Sequence, residues 1–133
     1  MSTRGRICVK LKEGGILSNW VGHDAYITGV GAYLNRFVNT YEQALKLITG
    51  GGEICGLYVD YVDGVDVPEV EYYEDVNIGF RWMAFTDGTA LYTNHKEDVF
   101  CEYTYLFEDG EWYVLTNRND KFIKLNEALQ RIE

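Results

Sequence analysis

Alternation of apolar and polar residues around glycine turns is the feature that most restricts how this chain can fold. The segment 7–13, ICVKLKE, alternates in this way, Gly14-Gly15 interrupts it, and the apolar-rich segment 16–21 follows. The segment 100–117 repeats the arrangement around Asp109-Gly110. Alternation with a period of two buries one face of a strand, and a glycine turn joins antiparallel neighbours. The sequence therefore predicts two β-hairpins.

The middle of the chain predicts a third hairpin and a charged loop. Residues 80–94 place Asp87-Gly88 between two apolar-rich halves, which is typical of a hairpin turn. Residues 54–62 predict either a strand or an extended connection. Residues 60–75 contain seven acids, no basic residue and the only proline, Pro68. Proline and unpaired charge favour irregular structure, so we expect an exposed acidic loop there.

Helical periodicity occurs in three places. Apolar residues recur at helical spacing within 30–37, and Thr40 with Gln43 forms the sequence of a capping box. The glycines at 50–52 end that second helix. A third amphipathic stretch closes the chain, with Asn126 expected in its N-cap region. Its apolar face would consist of Leu125, Ala128, Leu129 and Ile132.

These elements predict an α+β fold for residues 1–133, with a single antiparallel sheet of about six strands covered by two to three helices. A chain of 133 residues is the usual size of one domain. No fixed-period repeat and no linker divides it. We therefore expect one domain.

Charge is distributed unevenly along the chain, whose formal net charge is −9. Residues 1–12 carry four basic residues and no acid, and residues 116–133 carry four basic residues and three acids. The acidic excess argues against direct binding of nucleic acid or anionic membranes, because phosphate contacts require Lys and Arg. If the two basic ends meet, they create a local anion site. Alternatively, these cations only keep edge strands and a terminal helix soluble.

Targeting and cysteine patterns indicate a cytoplasmic protein. No apolar run is long enough to span a membrane, and the first residues lack the apolar core of a signal peptide. The three cysteines, Cys8, Cys55 and Cys101, are odd in number and lie in strand-like apolar surroundings. This usage favours reduced core thiols over a disulfide framework or a metal site.

Residues suited to catalysis are few. The chain has two serines and two histidines, and none lies in a nucleophile elbow or at metal-ligand spacing. His23-Asp24 is either an imidazole oriented by a carboxylate or ordinary turn hydrogen bonding, and adjacent residues favour the second interpretation. We therefore expect no catalytic residue, no metal and no cofactor.

The glycine-rich stretch 26–31, YITGVG, is the first candidate ligand site. Thr28 is a suitable N-cap, which places Gly29 and Gly31 in the first helical turn, where backbone amides are unpaired. Small residues there allow a phosphate to approach, and Tyr26 adds a ring. Close packing of the helix on the sheet explains the same glycines, so both interpretations remain open.

The later strands are the second candidate. Their aromatic residues lie on both strand faces, so one face must lie against a helix, another subunit or a ligand. Thr93 and Asn94 provide hydrogen-bonding groups, and Arg118 and, from its charge alone, Lys121 provide phosphate-pairing groups near one sheet end. Packing in the core or in a dimer accounts for the aromatic residues equally well.

A family resemblance is carried by the first 55 or so residues. They contain MSTRGRI, then HDAY-x-x-GVG-x-x-L, then a Thr-capped helix that ends in glycine before a strand. This order resembles a family of small phage and prophage proteins whose usual form is MSTR, a strand pair and HWDGYP-x-GVG. Ala25 stands where that family has glycine, and Ile27 stands where it has proline.

The order of elements also resembles the Thoeris anti-defence proteins of phages, which sequester cyclic ADP-ribose isomers. That resemblance implies a non-enzymatic nucleotide sponge in the cytoplasm of an infected bacterium, with a pocket shared between subunits of a homodimer or larger homo-oligomer. It further implies that Phe85 stacks on the base, that Thr93 or Asn94 bonds to it, and that Arg118 pairs with the pyrophosphate.

Two other functions remain as rivals. The −9 charge and the acidic segment 60–75 suit a DNA mimic that blocks a restriction or CRISPR complex by offering carboxylates in place of phosphates. A small enzyme acting on nucleotides has the least support, because the chain offers so few catalytic groups.

Overall fold

The computed structural model describes residues 2–73 and 82–131, which form eight strands, four α-helices and one turn of π-helix. The strands are β1 (Gly5–Lys10), β2 (Ile16–Val21), β3 (Ile54–Val62), β4 (Val65–Tyr72), β5 (Trp82–Phe85), β6 (Tyr103–Glu108), β7 (Glu111–Thr116) and β8 (Ile123–Lys124). The helices are the π-helix (Ile27–Gly31), α1 (Ala32–Phe37), α2 (Tyr41–Thr49), α3 (Gly88–Glu97) and α4 (Leu125–Arg131). Parts of three predicted segments lie outside the described residues. They are residues 80–81 of the hairpin predicted at 80–94, the acids at 74–75 of the predicted loop, and Ile132 of the last helix.

The strands form one mixed sheet in the order β4-β3-β2-β1-β6-β7-β8, and β5 pairs with the first part of β2. The α+β class is confirmed, whereas the prediction of about six antiparallel strands is wrong. β1 pairs in parallel with β6, and β2 pairs in parallel with β3. Hairpin signals report only strands that are neighbours in sequence, so they could not reveal these non-local parallel pairs.

Local signals were accurate where one turn decides the structure. β1 and β2 form the predicted antiparallel hairpin, and β6 and β7 form another around Asp109 and Gly110, whose φ angles are 53° and 81°. The capping box of α2 is complete: Thr40 Oγ1 accepts the Gln43 N–H at 3.1 Å, and Gln43 Oε1 accepts the Thr40 N–H at 3.2 Å. Gly50 follows the last residue of α2, as predicted.

The described part of the predicted acidic loop is instead a hairpin of β3 and β4. Asp63 and Gly64 form its tight turn with φ angles of 51° and 81°. Pro68 lies on β4 opposite Val59, and β4 is the outer strand of the sheet. An edge strand tolerates proline because the missing N–H faces no neighbouring strand. Proline therefore marked an edge here and not a loop.

The hairpin predicted around Asp87-Gly88 is wrong as well. Asp87 is the N-cap of α3, and its Oδ1 accepts the Ala90 N–H at 2.9 Å. Aspartate before glycine suits both a hairpin turn and a helix start, so the sequence alone favoured the wrong one. Asn126 is the second residue of α4 and not its cap.

Helices cover both faces of the sheet. Ile7 of β1 lies in the main core with Leu34 of α1, Ile48 of α2 and Leu125 of α4. The neighbouring Cys8 faces the other way and packs in a second cluster under α3. Successive residues of a strand point to opposite faces, which explains the two cores. None of the described helices has the length and apolar character needed to span a membrane.

Candidate functional site

A cleft of about 650 Å³ opens on the α3 face of the sheet, beside the start of β1 and the end of β2. Its described walls consist of Ser2, Arg4, Arg6, Trp20, Gly22, His23, Glu53, Tyr73, Met83, Asp98 and Phe100. The cleft thus combines two arginines, two carboxylates and a histidine with three aromatic rings.

Arg6 is placed in the cleft by the alternation of β1. Ile7 points into the main core, so Arg6 points to the opposite face, where only 3% of it is exposed. Register pairs Arg6 with Trp20, and the guanidinium carbon lies 5.3 Å from the centroid of the indole ring. Arg6 Nη1 donates to Ser18 Oγ at 3.1 Å, and that hydroxyl donates to the Met83 carbonyl oxygen at 2.8 Å.

Arg6 forms no ion pair at contact distance within the described ranges, although Glu53 and Asp98 line the same cleft. No described carboxylate lies within ion-pair distance of its guanidinium, and its Nε has no hydrogen-bond partner there. Burial of an unpaired cation is costly, and an orphaned buried donor calls for an explanation. An anion bound beside Arg6 would supply a contacting counter-charge and an acceptor for Nε, neither of which the described residues provide.

Arg4 repeats the arrangement near the rim of the cleft. Its guanidinium carbon lies 5.1 Å from the ring centroid of Phe100, and its Nε is buried without a hydrogen-bond partner among the described residues. Phe100 is 58% exposed, so one face of its ring is free. Asp98 Oδ1 accepts the Phe100 N–H at 3.0 Å and holds the loop in place. On the opposite wall, His23 Nδ1 lies 2.9 Å from the Cys55 carbonyl oxygen.

These groups suit a small anion that carries a ring. Guanidinium groups bind phosphate or carboxylate through paired N–H donors, and an arginine already stacked on an aromatic ring is held in place for that role. The exposed ring of Phe100 and the phenol of Tyr73 offer surfaces on which a base can stack. The volume lies within the roughly 300–1,000 Å³ that is usual for small-molecule sites.

The residues predicted from the sequence lie elsewhere. Tyr26 and Arg118 line a second hollow of about 610 Å³, together with Tyr103 and Arg131. Lys121 is exposed in the loop that follows β7. Phe85, Thr93 and Asn94 are not among the described residues that line this hollow. Arg118 and Tyr26 therefore share a surface without the predicted aromatic strand.

Phe85 and Asn94 belong to the α3 face. Phe85 packs on the second core cluster, so its ring is partly used in packing. Asn94 lies on α3, and its Nδ2 is 3.8 Å from the sulfur of Met83, a wall residue of the cleft. Thr93 is exposed on the same helix. Asn94 thus contacts a wall residue of the cleft but does not itself line the cleft.

The two glycines of the YITGVG turn have packing roles. A Cβ on Gly29 would lie 2.4 Å from the Asp24 carbonyl oxygen, and a Cβ on Gly31 would lie 3.2 Å from the Tyr105 hydroxyl oxygen. Tyr26 and not Thr28 precedes the helical turn, without a side-chain capping bond. Close approach of the backbone therefore requires glycine at position 29, whereas a Cβ at position 31 would crowd the side chains of Tyr105 and Leu125. These contacts favour the packing interpretation.

We expect Gly29→Ala to lower the free energy of unfolding by about 2 kcal/mol, because the added methyl group overlaps backbone. Urea unfolding measures this loss. Gly56→Ala is the matched control, since its Cβ meets nothing within 4 Å. If the turn binds no anion, pyrophosphate should bind equally to Gly29→Ala and to the unmodified protein. A folded Gly29→Ala protein that loses affinity for pyrophosphate would restore the turn as an anion site.

Two of the three cysteines, Cys8 and Cys101, are buried. His95 Nδ1 lies 2.8 Å from Thr104 Oγ1, which lies 3.3 Å from Cys101 Sγ. Burial lowers the pKa of His95 and raises the pKa of Cys101 to about 11, so the thiol is not ionised near neutral pH. Burial raises the pKa of Cys8 as well. No group of three or more metal-ligating residues was found in the described ranges.

Arg4 and Arg6 were missed as site residues, although their signal was present. The basic stretch 1–12 pointed to the N-terminal end, and the hairpin turn defines the register. Once Lys10 pairs with Ile16, an antiparallel ladder necessarily pairs Arg6 with Trp20. The sequence therefore already indicated that Arg6 lies opposite Trp20 on one face of the hairpin.

No protein-family model, curated protein or solved structure matches this chain. The assignment of a site therefore depends on the geometry of the cleft.

Proposed function

We propose that this protein is a non-enzymatic binding protein that captures a small nucleotide-like anion in the Arg4–Arg6 cleft and releases it unaltered. One observation carries the proposal: Arg6 is 3% exposed, yet it has no carboxylate partner within the described ranges. A buried cation without a counter-charge is stabilised when an anionic ligand enters.

The combination of groups narrows the ligand class. Two arginines and His23 favour phosphate, and the rings of Phe100 and Tyr73 favour a planar base. The net charge of −9 disfavours long polyanions, since the acidic body repels phosphates beyond the cleft. A mononucleotide or a cyclic dinucleotide-like compound satisfies both conditions.

The resemblance to phage anti-defence proteins supplies the biological part of the proposal. It implies that the ligand is a cyclic ADP-ribose-type signal and that sequestration blocks a bacterial defence in the cytoplasm of the infected cell. It also implies a homo-oligomer. The partly exposed ring of Phe100 at the cleft rim is where a neighbouring subunit would complete the pocket.

Calorimetric titration with cyclic ADP-ribose, ADP-ribose and pyrophosphate tests the proposal. We expect micromolar or tighter binding of a nucleotide, roughly −8 kcal/mol or better, and weaker binding of pyrophosphate, which lacks a base. Mass spectrometry after heat denaturation should recover the nucleotide intact. A chemically altered nucleotide would instead establish an enzyme.

Arg4→Ala and Arg118→Ala form a matched pair of variants, one for each basic surface. Loss of a charge-assisted contact should weaken binding to Arg4→Ala by about tenfold or more. Arg118→Ala should bind like the unmodified protein. The opposite result would transfer the site to the Tyr26–Arg118 hollow, and absence of binding by all three ligands would refute the proposal.

The DNA mimic is the second candidate, and it is favoured by the exposure of Asp60, Asp63 and Asp66 on the β3–β4 hairpin. Those acids alternate with valine and tyrosine side chains, which have no counterpart on a phosphate backbone. We therefore rank the mimic below the nucleotide-binding protein. A host nuclease whose inhibition depends on these three carboxylates would reverse the ranking.

A further inference from the structure

Exposed apolar side chains are concentrated on the β3–β4 hairpin. Eight large apolar residues of the described ranges are exposed, and five of them lie between positions 58 and 65. They are Tyr58, Val59, Tyr61, Val62 and Val65. Strand alternation places Tyr58, Val62 and Val65 on one face of the hairpin and Val59 and Tyr61 on the other. Single apolar residues are normal on a surface, whereas a group on one face indicates an interaction site. The hairpin is far in sequence from Arg4 and Arg6, and none of these five residues lines the cleft.

One face of this hairpin is already occupied by the protein itself. Leu57 and Val70 pair across the strands and pack on the main core. Further along the same face, Asp66 Oδ2 lies 2.7 Å from Arg36 Nη2 of α1. Tyr61 pairs with Asp66 and therefore belongs to this α1-facing side.

The opposite face, which we call the open face, mixes carboxylates with apolar groups. Its cross-strand pairs are Gly56–Glu71, Tyr58–Glu69, Asp60–Val67 and Val62–Val65. No basic residue occurs between residues 54 and 72. Desolvation and the negative charges of Asp60, Glu69 and Glu71 raise the pKa of the Tyr58 phenol. The open face therefore combines apolar side chains with charged residues that are all acidic.

A second copy of the chain does not fit this surface. Two open faces brought together would place their carboxylates against each other, and like charges at short distance are repulsive. Pairing through the free edge of β4 is hindered by Pro68, which cannot donate to a neighbouring strand.

We propose that the open face of the β3–β4 hairpin docks an extended basic protein segment in which Lys or Arg side chains and aliphatic ones lie on the same face, at every second position. The aliphatic groups would cover Val62 and Val65 at the tip, and the basic groups would pair with Asp60 and Glu69. Apolar burial supplies most of the affinity, and the charge pattern supplies orientation and the choice of partner.

Titration of the isotope-labelled full chain with synthetic peptides tests this surface by NMR. One peptide of about eight residues has Lys and Val in turn at every second position and Ser between them, which is enough to span the open face at roughly 3.4 Å per residue. A second peptide of equal charge replaces each Val by Ser. We expect the first to bind at least about tenfold tighter, with shifts confined to the open face.

Three variants identify the face that binds. The double variant Val62→Thr/Val65→Thr should weaken binding of the valine peptide by about tenfold, and Asp60→Asn/Glu69→Gln should remove most of its salt dependence. Tyr61→Ser is the matched control, because Tyr61 is 74% exposed on the same hairpin but on the α1-facing side. Its affinity should stay within about twofold.

Each other outcome overturns the proposal. Equal affinity for the valine and serine peptides would show that charge alone determines binding, as expected for a DNA mimic. A mass that doubles with concentration and returns to the monomer value in Val62→Thr/Val65→Thr would make a second copy the occupant. Failure to bind either peptide would exclude docking of a basic segment.

Discussion

Replacement of Arg6 by methionine should weaken ligand binding about a hundredfold while making the ligand-free protein more stable. The variant loses the charge-assisted hydrogen bonds to the anion, which are worth about 1.5–3 kcal/mol, so affinity should fall about a hundredfold. Methionine keeps an unbranched chain against Trp20 and removes a guanidinium that is 3% exposed. Replacing a buried charge by an apolar group of similar volume is often stabilising. We expect a gain of about 1 kcal/mol in the free energy of unfolding.

Calorimetric titration and urea unfolding measure the two effects separately. Arg36→Met is the control, because Arg36 is an exposed arginine whose ion pair with Asp66 belongs to the hairpin and not to the cleft. It should leave nucleotide affinity unchanged. A large loss of stability in Arg6→Met would mean that Arg6 is a structural residue, held by Ser18 and Trp20 for the fold alone.

Trp112→Ala should cause the largest loss of stability among single substitutions considered for this protein, about 4 kcal/mol. Trp112 is buried on β7, packs edge to face on Phe107 with ring centroids 5.2 Å apart, and donates from Nε1 to the Val38 carbonyl oxygen at 2.7 Å. Val38 is the C-cap of α1, so one side chain joins the sheet to the end of that helix. The truncation removes the ring contacts and leaves a buried carbonyl unpaired.

Trp112→Phe separates the two contributions, since it keeps an aromatic ring and removes only the indole donor. Its expected cost is about 1–2 kcal/mol, the penalty for an unsatisfied buried carbonyl. Val99→Thr, at a position that is 83% exposed, should change stability by less than about 0.5 kcal/mol. Chemical denaturation followed by far-UV circular dichroism compares all three. Equal stability of Trp112→Ala and Trp112→Phe would contradict the importance of ring packing.

Local chemistry explains which elements were predictable. The Gly14-Gly15 and Asp109-Gly110 turns and the Thr40–Gln43 capping box each depend on residues within a few positions of one another. The errors occurred where one signal suits two structures. Pro68 suits a loop or an edge strand, and Asp87-Gly88 suits a hairpin turn or a helix start. Only the neighbours in space decide between such alternatives.

The sequence and the structure indicate different candidate sites, and the one predicted from the sequence stays a prediction. An acidic chain with basic ends and surplus aromatic residues indicated cations beside rings. Arg118 was chosen from the C-terminal end, whereas the described cleft places Arg4 and Arg6 beside Phe100 and Trp20. Composition states which groups are available, but the distances between them depend on packing across the sheet.

The sequence by itself determined the α+β class, the two glycine-turn hairpins and the capped second helix, because alternation, turns and caps act over a few residues. The tertiary structure alone decided the parallel pairing of β1 with β6 and the burial of Arg6 without a carboxylate partner in the described ranges. Such contacts join residues far apart in the chain, and the burial of apolar surface that selects them depends on the whole fold.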